Sequence, residues 1–329
     1  SMSERVKSKS RRFKFPEEAS VIFALLILVG IVGALRPTFL KPQNLLNLAA
    51  SYSISALLAG CIVYLLSMGE IDLSFGWILN LSAVVAGLTM IAGVPVWIAI
   101  ILGIVAGGIM GAINGVLTVV MRLPLIIVTL GTASVFQGIS LISNKSGSVV
   151  PTDEKLTSNI FFRALGGEID TPIPFILIFV VLAFFVLHLT LHKTRFGYRI
   201  LAIGSNPEAA RLAGIPTKQT KILVCALMGA VSGIGGVLFL GFRGAVDPST
   251  GANLLLPVVA AAIIGGTPLS GGAGTVWGSL VGALIVGVIG VGVVFLGIDA
   301  VWSTLVTGLV IIFAIGVDQI VRVRKNRAS

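Results

Sequence analysis

Two short strings hold acids and hydroxyls against an otherwise apolar background, Gly69–Gly76 and Gly244–Gly251. Both read G-x-[IV]-D-x-S-x-G, so each sets a carboxylate two residues before a hydroxyl: Asp72 with Ser74, and Asp247 with Ser249. An acid and a hydroxyl placed just before an apolar run suit the capping of free amides at a helix start. The alternative is that the same groups line or gate a polar route, and both roles are compatible. Glu70 faces Ala245 in the other string, so its charge belongs to one copy only. Gly265–Gly274 is also Gly-rich and carries Thr267 and Ser270, but the chain holds no G-x-x-x-x-G-K-[ST], so no lysine is set to reach a phosphate. That segment reads as a tight turn between two helices. Cys61 and Cys225 sit inside apolar runs, and His188 and His192 are too few for a metal cluster. No paired carboxylates or nucleophile–base set falls within reach, so neither enzyme chemistry nor a cofactor is expected.

The elements that must position these residues are membrane helices. The chain has 329 residues, of which 56% are hydrophobic and 11% charged, and its mean hydropathy is +1.06. Soluble proteins are about 25% charged. The apolar residues come in long runs without a polar face, at roughly 21–35, 48–68, 77–93, 95–120, 124–142, 172–191, 221–242, 254–265, 275–296 and 300–321. Helices with no wet face are buried in lipid or in one another. The fold class is therefore an all-α integral membrane protein with about ten transmembrane helices. The short run 254–265 is the candidate for a broken or re-entrant helix. Arg5–Lys14 followed by Val21–Leu35 resembles a secretory signal, but no small-residue cleavage site follows, and the run reads as a retained first span.

Ten spans would place the N-terminal tail, Arg122, the loop 192–221 and the C-terminal tail on one side, with 17 of the 23 Lys and Arg residues. Positive residues stay cytoplasmic, so both termini are expected in the cytosol. The pI near 10.1 is then a topology signal rather than a nucleic-acid footprint. The expected layout is a cytosolic tail over 1–20, one permease domain over 21–321 and a second cytosolic tail over 322–329.

Sliding the sequence by 175 residues aligns the two strings and keeps register beyond them. Leu79, Leu81, Val84 and Ala86 meet Leu254, Leu256, Val259 and Ala261. Gly103, Gly107 and Gly115 meet Gly278, Gly282 and Gly290, and Thr129, Leu130 and Thr132 meet Thr304, Leu305 and Thr307. The repeat maps about 48–133 onto 223–308, spans 2–5 onto 7–10. An offset of five makes it an inverted repeat, a transporter signature with the pathway between the halves. Glycines every fourth residue, at 103, 107, 111 and 115 and again at 274, 278 and 282, mark faces where helix backbones approach closely.

In the loop 192–221, Asn206, Pro207 and Glu208 make a helix start, Ala209, Ala210 and Arg211 continue it, and Gly214 ends it. A short polar helix there suggests a docking element. With that loop the chain resembles the permease subunits of bacterial ATP-binding-cassette sugar importers of the ribose, xylose and arabinose type. The resemblance rests on Pro37-x-Phe39-Leu40, Asn44–Asn47, Ile71-Asp72-Leu73-Ser74-x-Gly76, Ala202–Ile215 and Gly265–Gly274, and runs from about residue 37 onward. It implies a homodimer in the cell inner membrane, a cassette ATPase on its cytosolic face and an extracytoplasmic solute-binding protein. Asn206, Glu208, Ala209, Ala210, Arg211 and Gly214 would couple to the ATPase, and Glu70, Asp72, Ser74, Phe75, Asp247, Ser249, Thr267 and Ser270 are the pathway or gating candidates. The external segment 143–171 would contact the binding protein. Glu70 and Phe75 depart from that family's usual Gly and Val. The alternatives are an ion-coupled secondary transporter, or a cassette permease for another small polar solute: a nucleoside, a branched-chain amino acid or a furanone signal. A secondary transporter would be expected to keep acids near the bilayer midplane, whereas Asp72, Asp247, Asp299 and Asp318 lie near span ends.

Overall fold

In hydrocarbon a backbone amide finds its partner only within its own segment or barrel, so long apolar runs fold as helices. The computed structural model describes residues 18–328, and the basic run Arg5–Lys14 lies outside them. Fifteen α-helices follow in order: α1 (Ala19–Leu35), α2 (Pro42–Ser51), α3 (Ser53–Ser67), α4 (Phe75–Ile91), α5 (Val96–Met121), α6 (Leu125–Ser143), α7 (Glu154–Thr157), α8 (Ile160–Leu165), α9 (Phe175–Lys193), α10 (Arg195–Ser205), α11 (Pro207–Leu212), α12 (Thr217–Arg243), α13 (Thr250–Ile264), α14 (Val276–Phe295) and α15 (Val301–Ala328). Among the described residues six helices, α5, α6, α9, α12, α14 and α15, are long and apolar enough to cross a membrane, and α2 with α3 makes a seventh as one span bent by 49°. The helices α1, α4 and α13 are apolar but have 17, 17 and 15 residues, short of the ~20 that a full crossing needs. The chain is an all-α, multi-span membrane protein.

Several details differ from the sequence expectation. The second run begins at Pro42 and bends at Tyr52, between α2 and α3. The run 254–265 belongs to a helix that starts at Thr250 and carries Pro257 inside it without breaking. The loop 192–221 holds two helices, not one, because Thr194 caps a first helix, α10, through Gly197 N–H at 3.2 Å. The basic residues 322–327 are helical, since α15 runs on to Ala328.

The repeat is visible in the helix starts: α4 begins at Phe75 and α13 at Thr250, 175 residues apart. The two strings touch each other. A Cβ on Gly76 would fall 2.2 Å from the Gly251 carbonyl oxygen, and one on Gly251 would fall 2.3 Å from that of Gly76. Asn80 clasps the second string from the first helix, its Nδ2 donating to Asp247 O at 2.9 Å and its Oδ1 accepting from Gly251 N–H at 2.5 Å. The glycine faces pack within the chain. Gly107 and Gly111 of α5 lie on Gly229 of α12, where added Cβ atoms would meet the carbonyls of Gly229 and Cys225 at 2.4 and 2.2 Å. Gly278 and Gly282 of α14 lie as closely on Gly265 and Ala261 beside α13. At the centre stands α3, buried along its whole length; its Tyr64 hydroxyl donates to the Leu187 carbonyl of α9.

The loops sort into two groups. In one, Gly272 N–H donates to Ser67 O at 2.7 Å, Thr275 Oγ1 donates to the Glu18 carboxylate at 2.7 Å, and residues 69–70 and 122–124 share a cleft with Pro207, Glu208, Arg211, Thr217, Lys218 and Lys221. In the other, Val149 and Val246 pair antiparallel, and Ser148 Oγ donates to the Asp247 carboxylate at 2.6 Å.

Candidate functional site

The break between α3 and α4 leads into the first group of loops. Gly69 turns the chain there with φ +83°, and Glu70 next to it points into a cleft of ≈ 560 Å³ together with Arg122, Glu208, Arg211, Lys218 and Lys221. One Glu70 oxygen meets Lys221 Nζ of α12 at 3.1 Å, and the other accepts the Leu125 amide of α6 at 2.9 Å. The carboxylate therefore joins three elements, and at α6 it meets the positive end of a helix. The carboxylate side of this pair is 12% exposed and the lysine side 31%.

On the rim stands α11. Asn206 caps it, its side chain accepting Ala209 N–H at 3.0 Å, Pro207 takes the first position and Gly214 closes it with φ +84°. Ala210 is buried beneath it. Glu208 and Arg211 face outward, joined at 2.5 and 3.2 Å. Hydrogen bonding from Arg211, together with its charge, holds Glu208 below the ordinary carboxylate value, and the same contact raises Arg211. Behind α11, α10 is wedged into the core: a Cβ on Gly204 would fall 1.7 Å from Ser67 O and 2.6 Å from Gly272 N. The end of α10 thus abuts the end of α3 and the turn after α13, backbone against backbone.

The first string is locked. Asp72, 1% exposed, accepts from Ser74 N–H at 2.6 Å and from Ser74 Oγ at 2.7 Å. Ser74 Oγ in turn accepts from Asn114 Nδ2 at 2.9 Å, and Thr132 Oγ1 donates to Asn114 Oδ1 at 2.6 Å. Phe75 is fully buried beside them. The capping expected of the serines does not form: neither Ser74 nor Ser249 makes a side-chain cap bond. Asp72 instead turns the chain one step earlier, and α13 is held by Thr250 Oγ1 on Asp247 N–H at 3.2 Å. Ser249 and Asp247 are exposed, and the Asp247 carboxylate takes Ser148. Thr267 is buried and accepts Thr275 N–H at 3.2 Å, while Ser270 is exposed at the turn between α13 and α14. Sequence reading named neither Lys221, Asn80 nor Asn114; the two asparagines were detectable as amides within apolar helices, whereas Lys221 resembles any flanking base.

This architecture sets an exposed capped helix beside a helix whose backbone abuts the core. Residues 42–315 match the family described as the branched-chain amino acid transport system permease component. The chain belongs to that permease family. Similar proteins include the ribose import permease protein RbsC of Bacillus subtilis, 36% identical over 96% of this chain and 98% of its own length. The L-arabinose ABC transporter permease protein AraH of Azospirillum brasilense is 34% identical over 92% of this chain and 87% of its own length. The D-allose transport system permease protein AlsC of Escherichia coli is 33% identical over 96% and 98%. No solved structure matches. As a permease component the chain is a transport subunit and not an enzyme, and among the described residues no group of His, Cys, Asp and Glu could hold a metal.

Proposed function

We propose that the chain is the membrane permease of an ATP-binding-cassette importer that carries a monosaccharide. A solute-binding protein delivers the sugar from outside, and ATP hydrolysis in a partner subunit drives it inward. The relatives named for ribose, arabinose and allose cover nearly all of this chain, which supports the monosaccharide over the other solutes. The observation that carries the mechanism is the seat of α11. It is a short, capped, solvent-facing helix whose neighbour α10 abuts Ser67 and Gly272 without room for a Cβ at Gly204. Residues 206–214 serve as the coupling helix, and the ATPase stroke reaches the α3–α4 break through that contact and through the Glu70–Lys221 pair.

On this reading the chain crosses the membrane ten times with both termini cytosolic, α1, α4 and α13 being short spans shielded by protein. The halves are antiparallel in the bilayer, and two copies form the transporting unit. The second loop group, including α7 and α8, receives the binding protein.

The test is reconstitution with the cassette ATPase and binding protein in vesicles. ATP-dependent sugar uptake that persists when ion gradients are collapsed is expected; uptake that follows an H⁺ or Na⁺ gradient without ATP overturns the proposal in favour of a secondary transporter.

A further inference from the structure

A second cavity, of ≈ 260 Å³, lies away from the cleft, between α2, α13, α14 and α15. It is near the helix starts at Thr250 and Val301; at 1.5 Å per residue Thr307 is about 9 Å below that end. Its polar lining comes from Tyr52, Asn253, Ser303, Thr304 and Thr307, none of which the coupling machinery uses. Thr307 is 5% exposed, lines the cavity, and among the described residues its hydroxyl has no hydrogen-bond partner. That hydroxyl is open to the cavity rather than sealed in the core, where Ser82 Oγ alone among the described residues lacks a partner, so it is free to bond a solute there. Pro257 has no amide hydrogen to give to the carbonyl of Asn253, four residues back, so α13 lacks one of its helix bonds beside the Asn253 side chain. Room for the Tyr52 hydroxyl exists because residue 290 is glycine: a Cβ there would lie 2.2 Å from it. Tyr52 is also the residue at which α2 and α3 bend.

The lining has hydroxyls and an amide, which both donate and accept, an aromatic ring, and no charged side chain. The space corresponds to about nine waters at about 30 Å³ each, the scale of one sugar ring. An amino acid would bring two charges with no counter-charge to meet them, a costly burial.

We propose that this chamber receives the neutral monosaccharide as it enters the permease, with Asn253, Thr304 and Thr307 bonding its hydroxyls and Tyr52 lying against its ring. The proposal rests on the importer reading. It places the sugar at the α2–α3 bend, where a change in the core would open or close the chamber.

The test uses the complete importer in vesicles, carrying Thr304→Cys, an exposed position. The chain's own Cys61 and Cys225 are buried and keep the background low. A small impermeant thiol reagent added outside is expected to label Thr304→Cys, with labelling slowed by a sugar that the same vesicles accumulate but not by leucine. Thr307→Val and Asn253→Ala are each expected to lower uptake about fivefold below saturation, the effect of one lost neutral hydrogen bond, with ATP hydrolysis retained. Labelling indifferent to sugar, or unchanged uptake in both variants, overturns the chamber while leaving the importer intact. Protection by leucine instead of sugar overturns the ligand class. Unaltered vesicles that take up no sugar on ATP overturn the importer reading itself.

Discussion

Glu70 is the residue at which this chain most clearly builds something of its own. A carboxylate at the α3–α4 break with no cation near it would be a costly guest, and Lys221 together with the Leu125 amide answers it. The pair is neither a surface bridge, worth about 0.2–1 kcal/mol, nor fully buried, where removing one partner costs about 3–5 kcal/mol; about 1–3 kcal/mol is expected. Because it ties the break to the start of α12, its loss should loosen coupling before it unfolds the protein. Glu70→Gln and Lys221→Met are each expected to raise the ATP hydrolysed per sugar moved, and the exchange Glu70→Lys with Lys221→Glu to restore part of that ratio. An unchanged ratio in both single variants would remove the coupling role. On α11 the sign is plain from the shift of Glu208. Its acidity is enhanced in the fold, so the Glu208–Arg211 contact is fully present above the ordinary carboxylate value near 4.5 and is lost only as pH falls below it. Co-purification of the ATPase is accordingly expected to be flat from about pH 7 to about pH 5, and a decline within that window would assign docking to another group.

At the scale of elements, the seam between α5 and α12 is where side-chain size decides the fold. The backbones meet at Gly107, Gly111 and Gly229, where each added Cβ would come within 2.4 Å of a carbonyl oxygen. Gly229→Ala is expected to cost at least the ~1–3 kcal/mol of overpacking, lowering the unfolding temperature in detergent. Gly131→Ala in α6, where a Cβ meets nothing within 4 Å, should be neutral or gain up to ~1 kcal/mol from helix propensity. Equal effects at the two positions would show that the seam carries no packing load. The four-residue glycine period was legible in the sequence, as were the repeat register, the α11 cap at Asn206 and the positions of the apolar runs, because each is written in local spacing. The partner of the α5 face was not, since the same glycines would serve a second subunit. The bend at Tyr52 and the helix α10 were also missed. Tyr52 lies between Ser51 and Ser53 in a run that is otherwise apolar, and α10 is a mixed stretch whose Ile200 and Ile203 find their place only in the core. The cap at Ser74 failed for a related reason: Asn114, distant in sequence, donates to its hydroxyl, which itself donates to Asp72.

For the molecule as a whole, the two loop groups differ in charge. The group around the cleft contains Arg122 and the loop 192–221, which with the two tails account for 17 of the 23 Lys and Arg residues. The opposite group holds Lys145, Lys155 and Arg163 with Glu154, Glu168 and Asp170. A membrane inserts such a chain with the basic side inward, so the same face that carries α11 should meet ATP. Two exposed positions test orientation and docking together, Ala213 just after α11 and Ser158 between α7 and α8. In right-side-out vesicles Ser158→Cys is expected to react with an impermeant thiol reagent, and Ala213→Cys to react only once the membrane is opened. Adding the cassette ATPase to opened vesicles should then shield Ala213→Cys and leave Ser158→Cys unaffected. A reversed pattern of access would invert the topology and place α11 where no ATPase can reach it, removing the coupling mechanism at its root. Correct access without shielding would keep the topology and move the docking surface elsewhere on the cytosolic face.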